Sequence, residues 1–249
     1  VEGDIGDTVL LRGSIPADSK EMRFYRNIVN PALYAGHMFK MFLEQRGIQF
    51  TGSVKEGVTP SSAKLISEFE SLPLWQIVWG LNKFSNNFVA DQIVKKIGAE
   101  AWGAPGTLDG GMKAIHETLD GIGIPKGSYK LVDGSGLNRE TRVSPKQIVS
   151  VLNAAHRDFS IAPEFVASLG VAGQDGTLKR RFAASSAESQ LRAKTGTIDG
   201  VSSLAGYTVS PDGEPISFAI LLNDPKRKFG HMSRWVDQVA LAISEFSQK

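Results

Sequence analysis

Cysteine is absent from this sequence of 249 residues, and histidine is scarce. Without cysteine, structural disulfides and thiolate metal sites are excluded, although the absence does not fix the cellular compartment. The histidines never lie four residues apart and never form an H-E-x-x-H pattern, so we expect no metal site. They are His37, His116, His156 and His231.

Long apolar runs and an excess of charge are also missing. No apolar stretch approaches the roughly 20 residues that a membrane-spanning helix needs, and no signal peptide opens the chain. The formal net charge is only +2, which indicates no nucleic-acid partner. The length permits one large domain, or one domain and a smaller piece. The opening residues, Val1 to Asp4, include no initiator Met, and we interpret them as the interior of a strand-loop region.

Hydrophobic periodicity predicts helices in the middle of the chain and strands towards its end. Helices are predicted at 31–46, 73–85, 88–97, 108–119, 145–156 and 229–246. Strands are predicted at 8–12, 48–54, 65–69, 191–194, 202–209 and 216–222, with a turn at 211–213. A helical middle, an antiparallel meander and a closing helix together predict an α/β fold of the α+β type, with helices packed on one antiparallel sheet.

The triplet Lys194-Thr195-Gly196 stands at the end of a predicted strand and is followed by Thr197. Alternation along a strand places the side chains of Lys194 and Gly196 on one face and that of Thr195 on the other. The ammonium and the hydroxyl together can bind a carboxylate, and a glycine permits close approach of another backbone. Because such a triplet is common by chance at strand ends, it is weak evidence for function when taken alone.

A second triplet, Ser85-Asn86-Asn87, stands at the junction of two predicted helices. An ordinary helix N-cap explains it when it is taken alone, because serine and asparagine oxygens accept the free amide hydrogens of a first turn. However, S-x-N followed by K-T-G is also the order of two motifs that β-lactamases and penicillin-binding proteins share, the third being S-x-x-K. The two triplets together therefore favour a penicillin-reactive acyl-transfer site.

Two further segments make the resemblance specific. DGSGLNR, from Asp133 to Arg139, resembles the DGSGLSR segment of D-alanyl-D-alanine carboxypeptidases. GQDGTL, from Gly173 to Leu178, resembles the G-x-D-G-T-L loop of one branch of that group. With four motifs in order, the chain resembles the class C, penicillin-binding-protein-4-type carboxypeptidase/endopeptidase family over most of its length.

That resemblance implies a transpeptidase-like domain of the β-lactamase fold, with further domains inserted between S-x-x-K and S-x-N. Residues 1–70 would then be the tail of an inserted accessory domain. Residues 71–249 would be part of the penicillin-binding catalytic domain.

The S-x-x-K motif has no good counterpart in this chain. Only Ser61-Ser62-Ala63-Lys64 has the spacing, in a turn-rich linker 24 residues before Ser85. The family places its nucleophile far upstream of S-x-N, at the start of a long buried helix, and no apolar helix follows Ser61. We interpret Ser61 as a loop or strand-entry residue and expect the nucleophile to belong to sequence outside this chain, such as an N-terminal remainder of the same protein.

The resemblance also implies a role for each residue of the site. The reaction is acyl transfer through a serine ester. Ser85 would relay a proton to the leaving amine, Asn87 would bind the substrate backbone, and Lys194 would add positive potential beside the nucleophile's lysine. Thr195, followed by Gly196 in the substrate-binding strand, would hold the terminal carboxylate. The backbone N–H of Thr197 would supply half of an oxyanion hole.

The implied partners are peptidoglycan stem peptides and the β-lactams that mimic their D-alanyl-D-alanine end. No metal or organic cofactor is implied. Because peptidoglycan lies outside the bacterial cytoplasmic membrane, the resemblance implies a periplasmic or other extracytoplasmic location, either free or membrane-associated.

Two alternatives stay open at this point. A β-lactamase would share both triplets but would deacylate penicillin quickly, and the DGSGLNR and GQDGTL segments favour the peptidase over it. A chain without its nucleophile also fits a non-catalytic module that binds peptidoglycan stems, or one half of a clipped protein. The intact mass of the purified protein would reveal a second polypeptide.

The interpretation of Ser61 makes a prediction for the 249-residue chain alone. Because no S-x-x-K helix is present, we expect no stable acyl-enzyme when this chain is incubated with a fluorescent penicillin and examined by denaturing gel. Labelling of the lone chain that is abolished by Ser61→Ala would contradict this interpretation.

Overall fold

A computed structural model describes residues 10, 12–21, 27–224, 226 and 229–247. The chain divides into two compact units, Val1–Phe69 and Glu70–Lys249. The first unit contains helix α1, Pro31–Gln45, which confirms the helix predicted there. It begins at Asn30, whose side chain accepts a hydrogen bond from the Leu33 N–H, and the proline occupies the first turn, where no amide hydrogen is needed.

The strands predicted within the first unit are wrong. Residues 48–54 and 65–69 are irregular, and Leu65, Ile66 and Phe69 are 78 to 97% exposed. A strand requires a partner for its backbone groups, and no ladder forms among the described residues of this unit. Of the strand predicted at 8–12, residues 8, 9 and 11 lie outside the described residues.

The second unit has a helical part followed by a sheet and a closing helix, as predicted. Its helices are α2 (Leu74–Phe84), α3 (Asn87–Trp102), α4 (Leu108–Gly121), α5 (Pro145–Arg157), α6 (Ala162–Ser168) and α7 (Phe229–Ser244). Its strands are β1 (Gly170–Val171), β2 (Arg192–Ile198), β3 (Val201–Val209) and β4 (Pro215–Asn223). The fold class predicted from the sequence is confirmed. Helix α6 and strand β1 were not predicted, because elements of seven and two residues are too short to show a period.

The four strands form one antiparallel sheet in the order β1-β2-β3-β4. Strand β2 was predicted to end at Lys194 but continues to Ile198, so the K-T-G triplet lies inside the strand. The two residues Asp199 and Gly200 connect β2 to β3 as a tight hairpin, and Gly200 has the positive φ of 75° that such turns favour.

Helices cover both faces of this sheet. One face packs against α7, in a core formed by Ala172, Leu178, Ala187, Leu191, Ala193, Leu204, Phe218, Val236 and Ala240. The opposite face carries Tyr207, which packs against Leu152 of α5 and Leu169, and whose hydroxyl donates to the Leu152 carbonyl at 2.6 Å. No helix among the described residues is both long and apolar enough to cross a bilayer.

The assignment of the core beneath β2 leads to a prediction about the free energy of unfolding. Leu204 is fully buried and pairs with Thr195 in the β2–β3 register. We expect Leu204→Ala to lower the free energy of unfolding by about 2–5 kcal/mol, because it removes buried methyl groups and leaves a cavity. Urea denaturation followed by circular dichroism measures this. The matched control is Leu74→Ala, since Leu74 is 64% exposed and should change stability by no more than about 0.5 kcal/mol. Equal effects of the two substitutions would contradict the assignment of the core.

Candidate active site

The junction between α2 and α3 holds Ser85 in an unusual backbone conformation. Ser85 is the C-cap of α2 with φ 54° and ψ 52°, in the left-handed region that favours glycine. A non-glycine residue there costs roughly 1–2 kcal/mol. The ordinary cap explanation applies to Asn86, whose side chain accepts from the Val89 N–H at the start of α3. It does not explain why a strained position carries a serine.

The structure brings Ser85 together with the K-T-G strand. The Lys194 Nζ donates to the Ser85 Oγ at 2.7 Å and to the Thr195 carbonyl at 2.8 Å. The Lys194 side chain therefore reaches a main-chain carbonyl of its own strand as well as Ser85 at the end of α2. The two triplets, far apart in sequence, therefore share one site.

The Lys194 ammonium forms no ion pair with a carboxylate in the part of the chain that the structure describes. Burial lowers the pKa of Lys194 below its ordinary value, because leaving water disfavours the charged form. A partly buried ammonium with only neutral partners attracts an anion, since an opposite charge offsets its desolvation.

Strand β2 has an open edge at this point. Strand β1 pairs only with Arg192 and Ala193, so from Lys194 onwards no strand among the described residues pairs with the side of β2 that faces away from β3. A substrate backbone can add to such an edge as a further strand.

The strand register also fixes the direction of the Thr197 N–H. The Leu191 carbonyl accepts from Ala172 on the β1 side, whereas the Arg192 carbonyl lies close to Gly206 of β3. Because N–H and C=O groups alternate in direction along a strand, the odd-numbered residues point away from β3. The Thr197 N–H therefore points to the open edge, where it can donate a hydrogen bond to a bound group.

The remaining residues of the two triplets surround this edge. Thr195 Oγ1 donates to Thr177 Oγ1 at 2.9 Å. Asn87 is the first residue of α3, and its exposed side chain makes no hydrogen bond to another described residue. At Gly196 a Cβ would lie 2.3 Å from Ser203 Oγ on β3, a side-chain atom that would have to rotate away.

The DGSGLNR segment fastens α3 to the β2–β3 hairpin. Asp91 of α3 accepts hydrogen bonds from the backbone N–H groups of Gly134 and Ser135, at 2.9 and 3.1 Å. At the other end of the segment, Arg139 donates to the Asp199 carbonyl at 3.0 Å. No sequence pattern pointed to Asp91, because a single aspartate in a helix is an ordinary surface residue.

Ser61 lies in an exposed turn within the first unit, not at the start of a helix. Among the described residues, no group of three or more histidine, aspartate or glutamate side chains is placed to hold a metal ion.

A cavity of about 890 Å³ lies at the hairpin end of the sheet, and Ser85, Asn87 and Lys194 do not line it. Its walls come from the hairpin end of the sheet, the DGSGLNR segment and the start of α5. Among the lining residues, Ser203 is the partner of Gly196 in the sheet, and Ile148, Ile198, Val201 and Leu221 supply apolar surface. The cavity therefore opens on the face of the sheet that carries Lys194.

Comparison with known proteins gives consistent matches. The chain is 38% identical over 225 residues to a D-alanyl-D-alanine carboxypeptidase of Actinomadura sp. strain R39, covering 87% of this chain and 41% of that protein. It is 29% identical to the D-alanyl-D-alanine carboxypeptidase DacB of Haemophilus influenzae, covering 86% of this chain and 45% of that protein. The chain thus spans less than half the length of these relatives.

The chain also matches solved structures of penicillin-binding proteins and β-lactamases. Penicillin-binding protein 4 (dacB) from Haemophilus influenzae superimposes with a TM-score of 0.79 at 25% identity, covering 88% of this chain and 50% of that one. The TLA-3 extended-spectrum β-lactamase gives a TM-score of 0.54 at 13% identity over 70% of this chain and 64% of that one, which shows the shared fold alone.

The sequence also matches, over residues 4–239, the family described as D-Ala-D-Ala carboxypeptidase 3 (S13). With this match and the relatives above, the chain belongs to the D-Ala-D-Ala carboxypeptidase 3 (S13) family.

Proposed function

We propose that this chain forms most of the active-site wall of a serine-type D-Ala-D-Ala carboxypeptidase/endopeptidase that acts on peptidoglycan stem peptides. The observation that carries the proposal is the Lys194 ammonium, hydrogen-bonded to Ser85 and free of any carboxylate among the described residues. A substrate that ends in D-alanine brings the carboxylate that this cation lacks. Membership of the family supports the same activity.

The reaction begins with attack on the carbonyl carbon between the two terminal D-alanines. The attacking serine loses its proton to the lysine of its own S-x-x-K motif, and a tetrahedral oxyanion forms. The Thr197 N–H at the open edge of β2 donates to that oxyanion, a contribution of about 2.7–4 kcal/mol per donor. The substrate strand lies along β2 with its backbone amide at Asn87 and its carboxylate at Thr195.

Breaking the carbon–nitrogen bond requires a proton on the leaving amine. Ser85 is placed to pass it: its Oγ, which accepts from the Lys194 ammonium, donates its own hydrogen to the amine and takes in exchange the proton held by the lysine of the S-x-x-K motif. D-Alanine then leaves with that proton, and the acyl group stays on the serine as an ester. Water hydrolyses the ester, which returns the serine and frees the shortened stem peptide.

We place the nucleophile outside this chain, on a segment that reaches the 890 Å³ cavity. The cavity lies on the same face of the sheet as Lys194 and starts at the neighbouring strand pair, Gly196 and Ser203. Its apolar lining suits a buried helix with a serine at one end. In this assignment residues 1–70 are the tail of an inserted accessory domain and residues 71–249 are part of the penicillin-binding catalytic domain.

Reaction with β-lactams and a location outside the cytoplasmic membrane belong to the same proposal. Penicillin-binding protein 4 from Haemophilus influenzae has been crystallised in complex with a β-lactam, at a TM-score of 0.78 and 26% identity over 88% of this chain and 52% of that one. A β-lactam carries a carboxylate beside its reactive carbonyl, as the D-alanyl-D-alanine end does, so Lys194 and Thr195 suit both.

The strained serine leads to a prediction that separates function from stability. Ser85→Gly removes the proton relay and also relieves the left-handed backbone. In the full-length protein, we expect the rate constant for penicillin acylation to fall roughly 10²- to 10⁴-fold. The free energy of unfolding should stay the same or rise by about 1 kcal/mol. Stopped-flow acylation and urea denaturation measure the two quantities. Acylation at the native rate would exclude Ser85 from the mechanism.

The carboxylate assignment predicts the effect of Thr195→Val. A hydrogen bond to a charged group is worth roughly 1.5–3 kcal/mol, so kcat/KM for release of D-alanine should fall about 10- to 150-fold. Cleavage of internal cross-links, where the carboxylate geometry differs, should fall less. Thr208→Val is the matched control, because Thr208 is a buried β3 threonine whose hydroxyl has no hydrogen-bond partner among the described residues. Unchanged D-alanine release in Thr195→Val would mean that the carboxylate is held elsewhere.

A further inference from the structure

The last turn of α2 contains a buried lysine that the reaction does not use. Lys83 is 3% exposed and stands two residues before Ser85. Its Nζ donates to the Leu169 carbonyl at 2.5 Å and to both carboxylate oxygens of Asp175, at 2.8 and 2.7 Å. An ammonium is buried this deeply only when its hydrogens have acceptors, and here one carboxylate and one carbonyl supply them.

Asp175 belongs to the GQDGTL segment and fixes the shape of that loop. Its Oδ1 also accepts from the Val171 N–H at 2.8 Å, and its own N–H donates to the Val171 carbonyl at 3.2 Å. The aspartate therefore closes the loop onto strand β1 while it holds the lysine of α2. The Asp175 side chain is 43% exposed, so the pair has one buried end and one end at the surface.

The same loop contacts both the end of α2 and strand β2. Gly176 lies against the backbone of Lys83, where an added Cβ would be 3.2 Å from the Lys83 carbonyl oxygen. The next residue, Thr177, accepts the hydrogen bond from Thr195 on β2. Within three consecutive residues the loop therefore contacts the end of α2, which carries Ser85, and the strand that carries Lys194 and Thr195.

We propose that Lys83 and Asp175 are positioning residues that set the distance between Ser85 and the K-T-G strand. The inference rests on the proposed function, in which Ser85 must pass a proton while Lys194 holds it. The 2.7 Å bond between Ser85 and Lys194 joins α2 to β2. The Lys83–Asp175 pair links α2 to the loop, and the hydrogen bond from Thr195 to Thr177 links β2 to the same loop. A left-handed serine persists only where its surroundings fix it, and the buried lysine two residues earlier provides that support.

A purely structural role for the pair predicts a different kinetic result. Destabilisation lowers the fraction of protein that is folded and can be acylated, but the folded molecules still react at the native rate. Loss of positioning leaves the protein folded and slows every molecule, because small misplacements of a proton-transfer group cost up to roughly 100-fold. The final extent of labelling and the rate constant therefore separate the two roles.

The experiment compares three variants of the full-length protein, nucleophile included. Lys83→Met keeps the length of the side chain and removes the ammonium. Asp175→Asn keeps the size at the more exposed end of the pair, so it remains informative where Lys83→Met fails to fold. Asp237→Asn is the matched control, because Asp237 forms an ion pair with Arg181 at 28% and 20% exposure in the same unit without contact to either triplet. Each variant is acylated with a fluorescent penicillin well below its own melting temperature.

We expect Lys83→Met and Asp175→Asn to lower the acylation rate constant by roughly 10- to 100-fold with complete final labelling, and Asp237→Asn to react at the native rate. A native rate constant in Asp175→Asn, or an equal loss in all three variants, overturns the inference. Ser85→Ala distinguishes this failure from that of the proposed function. If Ser85→Ala is slow and Asp175→Asn is not, only the positioning role is lost; if Ser85→Ala reacts normally, the proposed function itself is contradicted.

Discussion

The hydrogen bond from the Lys194 ammonium to the Ser85 hydroxyl is the contact on which the site depends. It spans 109 positions of sequence and joins the helical part of the second unit to its sheet. Burial lowers the pKa of Lys194, and no carboxylate among the described residues offsets its charge. In the proposed mechanism this cation binds the carboxylate of the substrate, and the same ammonium orients the serine that passes a proton.

The rest of the second unit holds this contact in place. The sheet packs against α7 on one face and against α5 and α6 on the other. Two loops then fasten the helices to the strand: DGSGLNR connects α3 to the β2–β3 hairpin, and GQDGTL connects the end of α2 to β2. The open edge of β2 remains between them, with the Thr197 N–H directed towards it. Each of the four motifs therefore has a physical task at one strand edge.

The sequence predicted the parts that follow from periodicity and from motif order. Helix α1 and helices α2 to α5 showed repeats of three and four, and the strands after Leu191 alternated clearly, so the fold class could be predicted. Strands at 48–54 and 65–69 were predicted wrongly because alternation does not reveal whether a partner strand exists. Lys83 gave no signal, since a lysine near a helix C-terminus is usually a solvated residue that complements the helix dipole. The left-handed backbone of Ser85 could not be predicted either, because this conformation favours glycine and serine adopts it only rarely.

The most direct test of the central claim is a crystal structure of the full-length protein acylated by penicillin. The account predicts an ester on a serine outside these 249 residues, with the carboxylate of the antibiotic within about 3.2 Å of Thr195 Oγ1. The ester oxygen should accept from the Thr197 N–H, and the side-chain amide of the antibiotic should meet Asn87. An adduct whose carboxylate lies away from Lys194 and Thr195, or whose ester is formed by a serine of this chain, would contradict the account.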